Sequence, residues 1–393
     1  MDVRQRIQPS QPKRVLSVTF NEDKSCFSIG LESGFWVLKA SDGKVILKKD
    51  LKGGIALAQM MGVSNVIAIV GGGHRPKFAG NKVILWDESS QRGATEISTL
   101  TPIRAVRVTS SRVVVALQNS VQVYRFKQGD KLSEYETADN LGGLVCVSDK
   151  QIAFPGRTPG HIQIVELATG NVSIIPAHDT PLRAMSFSWD GDMLASASEK
   201  GTLIHVYNTT TCASICEVRR GMDSATIYDL CFSPSGAFLA CTSDKSTLHI
   251  FDVPRPNRKL DATPISPITA PSLNLPSSRP NSSSSGNAEA NNGWGWLAKV
   301  PLLPRAFSDT YAFATIKFNT EEPLGGVAPL SEFATLGTTK PQKGIIGWFD
   351  EDELVVVGAG MEARWEKFRL AQDSEGKRYI DRLGWKHYYG EHQ

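Results

Sequence analysis

Long apolar runs are missing from this chain. No stretch of about 18 apolar residues occurs in its 393 residues, so no transmembrane helix is expected. The first residues, Met1 to Arg14, are polar and lack the apolar core of a signal peptide. A dominant charge is missing too: 43 Lys and Arg face 40 Asp and Glu, a formal net charge of +3. That balance argues against bulk nucleic-acid binding and requires any anion site to be local. Cysteines number only six. Cys26, Cys146, Cys231 and Cys241 stand in apolar strand-like runs, and Cys212 with Cys216 lacks a second Cys/His pair at zinc spacing. Free thiols in a reducing compartment are expected, with no metal and no cofactor. Catalytic signatures are also lacking. His178-Asp179 and the serine-rich strands hold the letters of a hydrolase triad, but no Gly-x-Ser-x-Gly elbow accompanies them. Gly71-Gly72-Gly73 lacks the Gly-Lys-Ser/Thr of a phosphate-binding loop. The chain therefore reads as a binding protein, not an enzyme.

What is present is a repeat of short strands. Helical periodicity is almost absent from roughly the first 250 residues, which alternate with period two between Gly, Asp, Ser and Asn turns. One unit recurs: an alternating strand, a polar turn, a small-residue strand, then a Val-x-Val-aromatic strand. Val15 to Leu38 shows it first, and Val83-Ile84-Leu85-Trp86-Asp87 closes a second copy. The fifth copy (Leu182 to Tyr207) and the sixth (Ile227 to Asp252) are near duplicates. A period of about 40 residues with four strands is that of a WD40-type propeller blade. The expected fold is all-β, a single seven-bladed β-propeller, with blades near 14–48, 51–98, 102–137, 141–176, 181–218, 225–318 and 343–390. Closing the ring hides sheet edges, and a monomer is expected. An all-β sandwich or a pair of barrels is the other arrangement such strands allow.

The sixth unit is interrupted between its third and fourth strands by an insertion at 254–309. Its first part is rich in Pro, Ser and Asn, a composition that cannot bury a core and predicts disorder. It then turns apolar at Trp294 to Arg305, and strand pattern resumes at Tyr311 to Phe318. Trp294 and Leu297 share a helical face with Trp296 nearby, while Pro301 and Pro304 limit any helix to a short one. This apolar run suits either a bilayer surface or the edge of the sixth blade.

Arg219 and Arg220 stand side by side in Val218-Arg219-Arg220-Gly221. Neighbouring side chains on a strand face opposite ways, so the pair can serve two separate pockets. The guanidinium fork matches phosphate oxygens. Small donors flank the pair on both sides: Ser196, Ser198, Lys200, Gly201, Thr202 and His205 before it, Ser243, Lys245, Ser246, Thr247 and His249 after it. A salt bridge from each arginine to Asp or Glu is the other reading. Arg104 and Arg107, with the loop Gly71 to Asn81, could form a partner surface on the second and third blades.

With these residues in view, the stretch from His178 to Phe251 resembles the PROPPIN family, β-propellers that bind polyphosphoinositides and are called WIPI proteins in animals. The family hallmark is Phe/Leu-Arg-Arg-Gly; Val218 departs mildly from its first position. Ser196 to Thr202 matches closely, whereas His205 stands where the family usually carries Arg, which predicts a weaker or more pH-dependent first pocket. Gly71 to Asp87 and Pro301 to Asp309 resemble the branch containing yeast Hsv-type proteins and the shorter WIPIs. The resemblance implies two headgroup sites for phosphatidylinositol 3-phosphate and 3,5-bisphosphate. The first would use Ser196, Ser198, Lys200, Gly201, Thr202, His205 and Arg219; the second, Arg220, Ser243, Thr247 and His249. It further implies a bilayer contact through Trp294, Trp296 and Leu297, and recruitment of an autophagy lipid-transfer scaffold. The implied location is cytoplasmic, peripheral on preautophagosomal, endosomal and vacuolar membranes. A WD40 scaffold that binds only proteins is the alternative function.

Overall fold

Period-two alternation places one face of each strand against the next sheet, and the computed structural model shows seven such sheets. It describes residues 14–255, 310–318, 343–360 and 363–389. Two compact units are present, residues 1–254 with 311–393, and residues 255–310. The second falls almost wholly outside the described residues, and with it Trp294, Trp296 and Leu297.

Each blade of the first unit is an antiparallel meander. Blade 1 comprises Val15–Phe20, Cys26–Leu31, Gly34–Lys39 and Val45–Asp50. Blade 2 comprises Ile55–Met60, Val66–Gly71, Lys82–Asp87 and Arg92–Ser98. Blade 3 comprises Ala105–Val108, Arg112–Ala116, Ser120–Arg125 and Lys131–Glu136. Blade 4 comprises Cys146–Val147, Gln151–Pro155, His161–Glu166 and Val172–Pro176. Blade 5 comprises Leu182–Phe187, Met193–Ser198, Leu203–Asn208 and Ser214–Arg219. Blade 6 comprises Ile227–Phe232, Phe238–Ser243, Thr247–Asp252 and, beyond the insertion, Ala314–Lys317. Blade 7 comprises Ile345–Trp348, Glu353–Val357, Arg364–Gln372 and Arg378–His387.

The core explains the ring. Buried apolar side chains form one cluster between each pair of consecutive blades: Phe35 with Ile69 between 1 and 2, Val83 with Val113 between 2 and 3, Val121 with Phe154 between 3 and 4. The series continues with Ile162 and Leu194, Val206 and Phe232, and Ile250 with Trp348. A last cluster, Phe27 with Val355, Trp365 and Tyr388, joins blade 7 to blade 1. Among the described residues, no blade mixes strands from the two ends of the chain. Closure therefore rests on side chains plus one backbone bridge, in which Val15 and Gly360 exchange two N–H···O bonds of 2.9 Å. Trp365 Nε1 donates to the Ala40 carbonyl (2.8 Å) across the same seam.

The strand that returns after the insertion is held from blade 7. Arg378 forms two bonds to Asp252 (2.7 and 2.6 Å) and lies 4.0 Å over the Phe313 ring, while Arg382 donates to the Lys317 carbonyl. The first strands of the blades line a central channel of about 1020 Å³. Arg104 and Arg107 line this channel. The Gly71 to Asn81 loop is pinned at the start of blade 2: Gly54 N donates to Arg75 O (2.7 Å), and His74 N and Nδ1 meet the Glu32 carboxylate at 2.9 and 3.0 Å. Gly71 has to be glycine, since a Cβ would lie 1.7 Å from the Phe78 carbonyl.

Candidate functional site: two clefts flanking blade 5

Blade 5 presents opposite faces to its neighbours. Met193, Ala195, Ala197, Ile204, Val206 and Val218 pack toward blade 6. Alternation therefore turns Ser196, Ser198, His205, Glu217 and Arg219 toward blade 4. The register aligns them laterally, Ser196 opposite His205, His205 opposite Glu217, and Leu203 opposite Arg219. These residues line the first cleft, between blades 4 and 5. Blade 6 repeats the plan one step on. Ala240, Leu248 and Ile250 pack toward blade 7, so Cys241, Ser243, Thr247, His249, Thr315 and Lys317 face blade 5. Cys241 pairs with His249, His249 with Thr315, and Thr247 with Lys317. This is the second cleft.

In the first cleft, Ser196 is fully buried and its hydroxyl meets His178 Nε2 at 3.0 Å. The His178 and His205 rings stack with centroids 4.4 Å apart. His205 Nε2 lies 3.1 Å from Glu217 Oε2, and its Nδ1 lies 3.0 Å from the Tyr207 hydroxyl. Burial, then the neighbouring His205, push His178 down to about 4, so it is neutral at pH 7. Arg219 is half-buried on this face. Ser198 is buried, and its carbonyl accepts the Gly201 N–H (3.0 Å) that closes the turn. The Lys200 side chain is exposed on that turn. Gly201 has φ 60°, and a Cβ there would lie 1.8 Å from the Ala225 carbonyl. Thr202 accepts the Arg220 N–H through its carbonyl (2.9 Å).

Arg220 turns the other way. Its side chain is buried, Nε donates to the Gly201 carbonyl (2.7 Å), and a terminal nitrogen donates to the Asp223 carbonyl. Its charge reaches the second cleft: burial, then Arg220, push His249 down to about 4. A hydrogen-bonded row runs through that cleft, Ser243 Oγ to Thr247 Oγ1 (3.3 Å), Thr247 Oγ1 to His249 Nε2 (3.0 Å), and His249 Nδ1 to Thr315 Oγ1 (3.1 Å). The neighbouring Cys241 thiol is pushed up to about 12 by burial and is not a reactive thiolate.

Of the residues singled out in sequence, Ser196, Ser198, His205 and Arg219 stand on the face turned to blade 4, Ser243, Thr247 and His249 on the face turned to blade 5, and Lys200, Gly201 and Thr202 form the turn between the two inner strands of blade 5. Three more join them. His178, at the end of blade 4, meets the first cleft much as Arg220, at the end of blade 5, meets the second. Their backbone N–H groups make equivalent bonds, to Gly160 O (3.0 Å) and Thr202 O (2.9 Å). Thr315 and Lys317 come from beyond the insertion, and Lys317 holds in blade 6 the register position Arg219 holds in blade 5. The alignment of Thr315 with His249 was within reach of the sequence, because Tyr311 to Phe318 reads as the fourth strand. Hydroxyls, neutral imidazoles and guanidinium groups make a donor set for a phosphate. Among the described residues no cluster of His, Cys, Asp or Glu could hold a metal ion, and no helix is long and apolar enough to cross a membrane.

Comparison with known proteins agrees with this picture. The chain is 44% identical to SVP1-like protein 2 of Neurospora crassa over 428 residues, covering all of both chains. Its fold matches Kluyveromyces lactis Hsv2 with a TM-score of 0.71, at 19% identity and with 96% and 100% of the two chains covered. It also matches KlAtg21 from a complex with the coiled coil of AgAtg16, with a TM-score of 0.61, at 16% identity and with 95% and 99% covered. The PROPPIN family model matches residues 18–269, a span that includes most of both clefts and the arginine pair between them. The chain belongs to the PROPPIN family of phosphoinositide-binding β-propellers.

Proposed function

We propose that this protein is a peripheral membrane effector that holds one phosphoinositide headgroup in each cleft beside blade 5. The observation that carries this is the division of the arginine pair: Arg219 on the face turned to blade 4, Arg220 reaching the row Ser243, Thr247, His249 and Thr315 on blade 6. Phosphatidylinositol 3-phosphate and 3,5-bisphosphate are the assigned lipids. Each cleft alone supplies modest affinity, since a charge-assisted hydrogen bond contributes about 1.5–3 kcal/mol before ordering costs. Two clefts on one rigid blade engage a membrane together and raise avidity. The apolar run around Trp294, Trp296 and Leu297 is assigned to the same bilayer on its sequence. The membranes served are preautophagosomal, endosomal and vacuolar. The Gly71 to Asn81 loop, with exposed His74, Arg75 and Lys77, is the assigned surface for an autophagy lipid-transfer scaffold. A structural relative, KlAtg21, is recorded with a coiled-coil partner.

Co-sedimentation with vesicles containing phosphatidylinositol 3-phosphate tests the reading. The native chain should pellet only with the lipid, and the Arg219→Thr, Arg220→Thr double variant should lose roughly 100-fold or more in affinity. Equal pelleting of both proteins, or of neither, would make the pair structural and favour a protein-only scaffold.

A further inference from the structure

Met222 lies on the connection between blades 5 and 6, two residues beyond Arg220, and is 68% exposed. A single exposed apolar side chain is ordinary on a soluble protein. Its setting is not. The connection is anchored on both sides of Met222: Arg220 donates to the Gly201 and Asp223 carbonyls, and Ala225 N donates to Lys200 O (3.2 Å). The methionine is therefore held outward by a fixed backbone. Beside it stands Tyr311, 47% exposed, whose hydroxyl points at Met222 Sδ across 3.9 Å. Tyr311 extends the sheet of blade 5 past its fourth strand. The pair thus forms an apolar point at the outer edge of blade 5, between the two clefts.

That position dictates what can cover it. If both clefts hold headgroups of one bilayer, the two phosphates fix the membrane surface on either side of Met222. The thioether then has to sit at the level of the headgroups or below them. We infer that Met222, backed by Tyr311, enters the boundary between headgroups and acyl chains and forms a membrane contact separate from the phosphate clefts. This rests on the phosphoinositide reading above. The chemistry fits both residues. Methionine is unbranched and adapts to an irregular apolar environment, and tyrosine favours the interfacial layer, its ring in apolar surroundings and its hydroxyl in polar ones.

The full chain is tested with two probes. Vesicles of phosphatidylcholine with phosphatidylinositol 3-phosphate report the membrane contact, and soluble inositol 1,3-bisphosphate reports the clefts alone. Met222→Ser should weaken vesicle binding about tenfold, in line with removing one buried apolar side chain from the bilayer. Its titration with inositol 1,3-bisphosphate should stay unchanged, and Met222→Leu should restore vesicle binding to within about twofold. If Met222→Ser binds vesicles as tightly as the native chain, the inference is overturned and the headgroup clefts stand. If Met222→Leu is as weak as Met222→Ser, the contact is not apolar and the inference is again overturned. If the native chain binds neither probe, the phosphoinositide reading fails and the inference falls with it.

Discussion

The clefts on either side of blade 5 are built on equivalent strands, yet they hold their histidines differently. His205 and His249 occupy matching positions, each third in its strand and each paired with the residue two before the buried serine, Ser198 or Ser243, that closes the preceding strand. In the second cleft, His249 is bracketed by two threonine hydroxyls and overlooked by Arg220. In the first, His205 is sandwiched between a second imidazole, His178, and a carboxylate, Glu217. One residue of turn length underlies part of this. Ser198 to Gly201 and Ser243 to Ser246 close alike, with N–H to carbonyl bonds of 3.0 Å. Blade 5 then inserts Thr202 before its strand begins at Leu203, whereas blade 6 begins at once with Thr247. The hydroxyl that joins the cleft in blade 6 therefore sits in the turn in blade 5. Repetition of a blade supplies the frame, and one extra residue, together with Glu217 in the place of Thr315 and His178 in the place of Arg220, makes the two sites unlike.

The largest expected effect breaks the comparison at the turn itself. Gly201 and Ser246 both lie in the left-handed region, at φ 60° and 53°. Only Gly201 meets backbone where a Cβ would go, 1.8 Å from Ala225 O, and its carbonyl also anchors Arg220. Gly201→Ala should lower stability by about 3 kcal/mol, as positive φ and a backbone clash combine. Ser246→Gly should change stability by less than about 1 kcal/mol. Urea unfolding of the two variants measures both. A small loss for Gly201→Ala would mean that the turn gives way and that the two turns are interchangeable.

Titration sharpens the comparison next. His178 and His249 each stand near 4, below the free value of 6.5, through burial first and then through His205 and Arg220 respectively. The folded chain thus refuses protons that the unfolded chain accepts. Their stabilising contribution is complete above pH 6.5 and is lost as pH falls toward 4. Each histidine accounts for roughly 2–3 kcal/mol over that window. The melting temperature should fall from pH 7 to pH 4.5. His205→Gln should lessen the fall through His178 while leaving the part due to His249. If that variant follows the native curve, the stacked ring is not what disfavours protonation of His178.

Much of the propeller was legible in the sequence because each blade repeats its alternation, down to the return of the sixth blade's last strand after a long insertion. The strand period bears on Arg219 alone, since the strand ends there and Arg220 is turned by its bond to the Gly201 carbonyl. The rest required packing. His178 follows the last strand of blade 4, and only the contact of blade 4 with blade 5 brings it onto His205. The offset between the clefts was hidden because both stretches read Ser, Lys, Thr, His in order. Arg104 and Arg107 read as part of a partner surface with the Gly71 to Asn81 loop. In the structure the first strands line the central channel, and both arginines line it with them.

Glu217 offers the smallest and sharpest test. Its carboxylate lies 3.1 Å from His205 Nε2 in the cleft assigned to a phosphate, and its counterpart in blade 6 is the neutral Thr315. A carboxylate in that position repels an incoming phosphate and stands against the imidazole that would meet it. Glu217→Gln removes the repulsion while keeping the size of the side chain. Because the site is partly exposed, the gain is limited to about 1 kcal/mol, or roughly fivefold in affinity at the first cleft. Inositol 1,3-bisphosphate titrated into the variant on an Arg220→Thr background, which isolates the first cleft, should show that gain. On an Arg219→Thr background, which isolates the second, the same change should have no effect. An equal gain on both backgrounds would mean that the clefts share one field and do not act as two sites. A loss at the first cleft would assign Glu217 the opposite role, that of the group holding His205 in its binding pose.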